Sequence, residues 1–274
     1  MLYSPVSPLK NFPLFVKSLI IDTYKSRHLA WRLFTRDLSA QYRQSIFGYI
    51  WAFIPPLVTA LTFIYLEHKK IIAPNIAGSY PLYVLTGTLL WQTFIDAITI
   101  PLKVMHTNKT LLTKVNVKKE AIILAASGEI AFSLILKLVV FLAIAPFLGL
   151  ATAPMQLLVP LGLGTLIALG FSISLCLLPL SVLYTDIQRG LTILLNFAFL
   201  LAPITYAPSA TQSSNILNSL NLSVPVIVST RDWILGSTTL GPIVPLAIGS
   251  MLLFFIGWTI FKVSIPHLIS RIGN

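Results

Sequence analysis

The chain has 274 residues, of which 56% are hydrophobic and only 10% are charged, and its formal net charge is +11. Soluble domains carry about 25% charged residues, so this composition excludes an ordinary soluble protein and indicates a polytopic membrane protein. Residues 138–185 contain no Asp, Glu, Lys or Arg, which leaves no room for a separate soluble domain. We therefore expect residues 1–274 to form one all-α membrane domain.

The first predicted element is an amphipathic helix over residues 25–46, preceded by a cytosolic segment, residues 1–24. At 3.6 residues per turn, one stripe of this helix is mainly aromatic and apolar, with Trp31, Phe34, Leu38, Tyr42 and Ser45. A second stripe carries the arginines Arg32, Arg36 and Arg43. Such a helix lies in the plane of the bilayer, with its aromatic residues in the acyl boundary and its arginines facing the cytosol.

Six membrane spans follow within residues 47–261, because each apolar stretch approaches the twenty residues that a bilayer crossing needs. The predicted spans are residues 47–66, 80–101, 121–148, 155–183, 190–207 and 242–261. Short connections join the third to the fourth span (149–154) and the fourth to the fifth (184–189). Residues 103–119 form a basic loop, interpreted either as a docking segment or as a solvated loop. Residues 208–241 form short re-entrant helices or an ordinary outer surface loop.

Lys and Arg residues set the expected orientation, because cytosolic loops carry an excess of both. Seven precede the first span, five lie in residues 103–119, one is Arg189, and two are in the C-terminal segment 262–274. The opposite side holds only Lys69, Lys70 and Arg231. We therefore expect both termini in the cytosol. The basic residues are scattered over short loops, which argues against nucleic-acid binding.

The sequence lacks the usual marks of an enzyme. It contains no G-x-x-x-x-G-K-S/T phosphate loop, so no ATP site is visible. It also shows no Cys, His, Asp and Glu cluster with metal-ligand spacing. We expect no catalytic residue, no cofactor and no metal.

Three ionisable residues fall inside predicted spans, where charge is costly and indicates function or specific pairing. They are Asp96, Glu129 and Lys137. Glu129 and Lys137 are eight residues apart, about 12 Å along a helix, so they do not pair within it. Glu129 is expected to face another helix or a lumen, Lys137 to meet the phosphate of a lipid carrier, and Asp96 to be solvated. Hydrogen bonding between helices is the alternative for all three, and a proton-coupled secondary transporter using Asp96 and Glu129 is a rival function.

Several motifs resemble the permease subunits of polysaccharide-exporting ABC transporters, the type-2 ABC exporters. The entry segment carries Arg36-Asp37, Tyr42-Arg43-Gln44-Ser45, Gly48, Trp51 and Pro56. Later matches are Gly87, Trp91, Phe94, Asn108, Leu111, Leu112, Lys114, Val115, the run from Ala202 to Tyr206, and Arg231. The sequence departs from the family pattern at Lys118, at Thr185-Asp186 and at Asn221-Leu222, where the family has Pro, Arg-Asp and Asn-Pro.

The resemblance implies a transport subunit of the bacterial cytoplasmic membrane that exports lipid-linked polymers of the O-antigen, capsule or teichoic-acid type. It implies a homodimer with two copies of a separate ATPase subunit, which binds the ATP and Mg. The amphipathic helix would be the interface helix for that ATPase. The implied coupling residues are Arg32, Arg36, Asp37, Arg43, Lys109, Lys114 and Asp186. An exporter of a small lipid or drug is the nearest alternative.

The polymer path is expected between two protomers, where aromatic rings stack on sugar faces. The candidate path residues are Tyr49, Trp51, Tyr83, Trp91, Phe94, Phe197 and Tyr206. The alternative is that these rings belong to the core or to the aromatic belt at the membrane surface.

Overall fold

The computed structural model describes residues 21–43, 54–69, 79–114, 118–206, 221–236 and 243–272, and these residues contain helices and no strand. A helical turn at residues 21–25 precedes the first helix. The α-helices of the described residues are α1 Arg27–Tyr42, α2 Ile54–His68, α3 Tyr80–Thr107, α4 Lys109–Lys114, α5 Lys119–Ile144, α6 Val159–Leu183, α7 Asp186–Leu201, α8 Ser223–Ile234 and α9 Ile243–Ile272. The predicted all-α class is confirmed for this part of the chain.

Within the described residues, three helical segments are long and apolar enough to cross a membrane. They are Lys119–Leu148, Pro154–Leu183 and Ile243–Ile265. They correspond to the predicted third, fourth and sixth spans. The other predicted spans coincide with helices α2, α3 and α7, so the total of six stays a prediction. The start of the first predicted span, residues 47–53, lies outside the described residues.

Helix α6 forms the centre of the bundle and packs most extensively against α9 and α3. Small residues permit the close contact with α3. A Cβ atom placed on Gly170 of α6 would lie 2.8 Å from the Ala97 Cβ and 2.9 Å from the Phe94 carbonyl oxygen. Real Cβ atoms do not approach this closely, so the packing of α6 on α3 depends on glycine at this position.

The Gly170→Ala variant is therefore expected to lower stability by about 1–3 kcal/mol, the usual effect of overpacking a tight interior. Gly164→Ala is the matched control on the same helix, because a Cβ there meets nothing within 4 Å. Alanine favours a helix over glycine by about 1 kcal/mol, so the control should be neutral or stabilising. Thermal unfolding of both purified variants tests this, and equal melting temperatures would contradict the close contact.

Most of the predicted basic loop is helical, which corrects the prediction for residues 103–119. Helix α3 continues through Pro101 to Thr107, and α4 begins at Lys109 after a single intervening residue. Proline removes one helical hydrogen bond, but Leu102, Val104 and Met105 beyond it are buried in the core. Their burial holds the helix together past the proline. Similarly, α7 begins at Asp186, so only two residues separate it from α6.

The predicted outer segment contains helix α8. At 12 residues it is about 18 Å long, too short to cross a bilayer. Its Val226, Ile227 and Trp233 are buried, and the helix packs on α3 and α6. This packing favours the interpretation as a short inserted helix over that of a surface loop.

Candidate functional site

Helix α1 docks on the bundle through one face. Ala30 and Leu33 are buried in the core around α5, and the Phe34 ring contacts Phe132 and covers Gly128. Trp31 remains 66% exposed. The residues of the predicted aromatic stripe therefore do not share one environment. Phe34 packs on α5, where Gly128 has no side chain to block it, whereas Trp31 is exposed. Of the three stripe residues whose side chains the structure describes, Trp31, Phe34 and Leu38, only Trp31 is exposed as a membrane-surface helix requires.

Arg36 and Asp37 are tied to Asn108, at the joint between α3 and α4. Nε and Nη2 of Arg36 donate to Asp37 Oδ1 at 2.8 and 2.6 Å, and Nη2 also contacts Asn108 Oδ1. Asn108 Nδ2 donates to Asp37 Oδ2 at 3.0 Å and to the Val104 carbonyl oxygen at 2.9 Å. Asn108 is buried, and the Asp37 side chain is only 14% exposed. We call these three residues the α1 tie.

The α1 tie joins two motifs that lie 71 residues apart in the sequence. The sequence analysis named Asp37 and Asn108 separately, as parts of two family motifs, and did not connect them. In the structure the main partner of Asp37 outside its own helix is the Asn108 amide. This hydrogen bond has a charged acceptor, which makes it stronger than a neutral one, and it links α1 to the joint between α3 and α4.

Two further hydrogen bonds connect helices at the same end of the bundle. Lys109 Nζ donates to the Val182 carbonyl oxygen at 3.0 Å, near the C-terminus of α6. Gln188 Nε2, in the first turns of α7, donates to the Leu102 carbonyl oxygen at 3.0 Å. Sequence reasoning missed Gln188. These contacts, together with the α1 tie, connect α1, α3, α4, α6 and α7 at one end, which we call the coupling end.

The remaining predicted coupling residues lie at this end but not in one cluster. Arg32, Arg43 and Asp186 are exposed. Arg189 Nη1 is 3.9 Å from Asp186 Oδ1, and both side chains are more than four-fifths exposed, so water screens this pair. The side chain of Lys114 lies outside the described part. The exposed basic residues are free to contact another protein, whereas Arg36 and Asp37 already have partners within the chain.

Two of the intramembrane charges, Asp96 and Lys137, form an ion pair between helices, which agrees with the alternative of hydrogen bonding between helices. Lys137 Nζ on α5 is 2.6 Å from Asp96 Oδ2 on α3, and Ser133 Oγ donates to the same oxygen. The expectations of a solvated Asp96 and of a Lys137 available to a lipid phosphate are corrected accordingly. Pairing between helices lowers the cost of both charges in an apolar bundle. Glu129 is buried on α5, within the electrostatic influence of Lys103 and Asp37.

Three of the five candidate path aromatics that the structure describes are buried within the chain. Trp91 is 1% exposed and contacts the Phe94 and Phe199 rings, and Tyr83 and Phe94 are likewise buried. Their burial does not support a path role in this conformation, because a buried ring offers no face to a sugar. Phe197 is 63% exposed, and Tyr206 is half-buried. Tyr49 and Trp51 lie outside the described residues.

A second group of contacts holds the segment that follows α7, at the end of the bundle opposite the coupling end. The Arg231 side chain on α8 is 1% exposed, its Nη1 donates to the Pro203 carbonyl oxygen at 2.7 Å, and its guanidinium lies 3.8 Å from the centre of the Tyr83 ring. Tyr83 Oη donates to the Tyr206 carbonyl oxygen at 3.1 Å. The run from Ala202 to Tyr206 and Arg231, two separate motifs in the sequence, therefore meet in space.

Comparison with known proteins gives three relevant relatives, although no family model matches the chain. The O-antigen export system permease protein RfbA of Myxococcus xanthus is 26% identical over 215 residues, covering 77% of this chain and 80% of the relative. Two proteins of the same name from Klebsiella pneumoniae are each 25% identical. One match covers 63% of this chain and 66% of the relative, and the other covers 74% and 78%. With its apolar helices and family motifs, the chain is similar over most of its length to the permease subunits of type-2 ABC exporters.

Proposed function

We propose that the chain is the membrane-spanning subunit of an ATP-driven exporter that moves a polysaccharide, attached to a lipid, across the bacterial cytoplasmic membrane. The observation that carries this proposal is the similarity to three O-antigen export permeases across most of the chain. The alternative of a small-lipid or drug exporter finds no support in those names. The Asp96–Lys137 pair also leaves Asp96 without the free carboxylate that a proton-coupled carrier would use.

We propose that a separate ATPase subunit binds the coupling end, on the cytosolic side, with both termini in the cytosol. The chain has no phosphate loop of its own. Arg32 and Arg43 are exposed on α1, and the α1 tie fastens that helix to the core. A movement of the ATPase that displaces α1 would therefore reach α3 through Asn108 and α5 through Phe34.

We propose that two copies of the chain pair through α7. Of the described residues in α7, only Leu195 is buried. The opposite face exposes Ile193, Leu194, Phe197, Leu200 and Leu201. This face belongs to a helix that is held by Gln188 near its start and by Tyr206 just beyond its end. A rigid apolar helix suits a dimer interface beside a polymer path.

The proposed function predicts the effect of removing the chain from its host bacterium. Polymer synthesis should continue while the polymer disappears from the cell surface and accumulates inside on its lipid. Immunoblots of surface and intracellular fractions measure this, and expression of the wild-type chain should restore export. Normal surface polymer with loss of a small-lipid or drug efflux activity would contradict the proposal.

A further inference from the structure

An apolar groove opens at the side of the bundle, between α5, α6, α9 and the helical turn at residues 21–25. Its volume is about 850 Å³, and its walls include Tyr24, Leu124, Gly164, Phe171, Phe254 and Trp258. From Phe171 to Gly164 it follows α6 for about 10 Å. The groove lies on helices other than α7, so it is separate from the proposed dimer face.

One end of the groove is basic. Tyr24 lines this end, and the Arg27 guanidinium lies 4.2 Å from the centre of the Tyr24 ring. Lys262 follows Trp258 by one helical turn, and its Nζ is 3.5 Å from Asp22 Oδ2. Lys25 is exposed next to Tyr24. Residues 22–27 together with Lys262 thus carry three basic side chains and one carboxylate, so the charge of these residues is net positive.

The other end of the groove is free of charge. Gly164 marks this end, within the stretch 138–185 that contains no ionisable Asp, Glu, Lys or Arg. The groove thus joins a basic end to an apolar body, which is the pattern of a site for an amphiphile with an anionic head. Basic pockets between membrane helices on the cytosolic side bind anionic lipid headgroups.

We propose that this groove is a binding site for one anionic phospholipid, with an acyl chain along α6 and α9 and the phosphate beside Arg27 and Lys262. Along α6 the groove would hold about 10 Å of an acyl chain, most of the roughly 15 Å thickness of half of the hydrocarbon core. A polyprenyl phosphate has the same headgroup chemistry, but its chain is several times longer and would extend beyond the groove. A helix of another protein would not account for the basic end. The proposal depends only on a membrane location, not on the exported substrate.

The groove body is tested with the Gly164→Leu variant. A Cβ at Gly164 meets nothing within 4 Å, so the leucine side chain enters the groove without a clash. Gly249→Leu on α9 is the matched control, because it also has open space around its Cβ and does not line the groove. Native mass spectrometry of the purified chain with dioleoyl-phosphatidylglycerol should show one retained lipid in the wild type and in Gly249→Leu. Gly164→Leu should lose it.

The basic end is tested with the double variant Lys25→Gln, Arg27→Gln. Each basic residue near an anionic headgroup contributes about fivefold to binding, so the pair should weaken phosphatidylglycerol binding roughly 25-fold. Binding of dioleoyl-phosphatidylcholine should be weak and unchanged by the variant. Equal retention of the two lipids by the wild type, or full retention by Gly164→Leu, would overturn the site. Tighter binding of a polyprenyl phosphate with the same sensitivity to both variants would overturn its assignment to a phospholipid.

Discussion

The Asp37→Ala variant is expected to insert and assemble normally but to export much less polymer for each ATP hydrolysed. Asp37 accepts the hydrogen bond of buried Asn108, and its loss weakens the contact between α1 and the joint of α3 and α4, where Arg36 still contacts Asn108. A hydrogen bond to a charged group contributes about 1.5–3 kcal/mol, which corresponds to a coupling loss of about ten- to a hundredfold if the tie transmits the movement. The measurement is surface polymer per ATP hydrolysed, at matched abundance in the membrane.

Three further variants distinguish two roles for α1, as the helix that transmits movement to the bundle or as a membrane anchor only. Asp37→Asn keeps an oxygen that can accept from Asn108, so it should retain most of the coupling. Ser39→Ala changes an exposed residue of the same helix and should have no effect. Trp31→Ala removes an exposed ring and would be the most damaging change if α1 served only as a membrane anchor. Normal coupling in Asp37→Ala with impaired coupling in Trp31→Ala would reject the transmission role.

The Lys137→Met variant is expected to cause the largest loss of stability. It leaves the Asp96 carboxylate without its ammonium partner between two helices. Breaking a buried ion pair typically costs 3–5 kcal/mol, and we expect about 3 kcal/mol because the Asp96 side chain is 27% exposed. Thermal unfolding of the purified protein measures the effect.

The double variant Asp96→Asn, Lys137→Met provides the control for this pair. Removing both charges leaves no uncompensated group, so the double variant should regain most of the stability lost by Lys137→Met. The serine at position 133 can still donate to the asparagine oxygen. Additive losses from the two substitutions would contradict the pairing of Asp96 with Lys137.

The long apolar elements could be predicted from the sequence because length and hydrophobicity are local properties. The predicted spans 121–148, 155–183 and 242–261 match the helical segments Lys119–Leu148, Pro154–Leu183 and Ile243–Ile265 closely. The extension of α3 beyond Pro101 was not predictable in this way. It depends on the burial of residues after the proline, which is a property of the assembled bundle.

Contacts between distant residues could not be derived from local patterns. Asp96 and Lys137 are 41 residues apart, on different helices, and their pairing depends on the register in which α3 packs on α5. The α1 tie has the same origin, since nothing near Asp37 in the sequence indicates Asn108. The family motifs include Asp37 and Asn108, but the contact between these two residues became evident only from the packing of the helices.

Reconstitution of the chain with its ATPase partner in proteoliposomes tests the central claim most directly. The ATPase is placed on the outer side with a lipid-linked polysaccharide, and polymer inside the vesicles is measured with and without ATP. The account predicts that polymer enters only with ATP and only when both subunits are present, and that the chain alone hydrolyses no ATP. Polymer entry without ATP, or ATP hydrolysis by the chain alone, would contradict it.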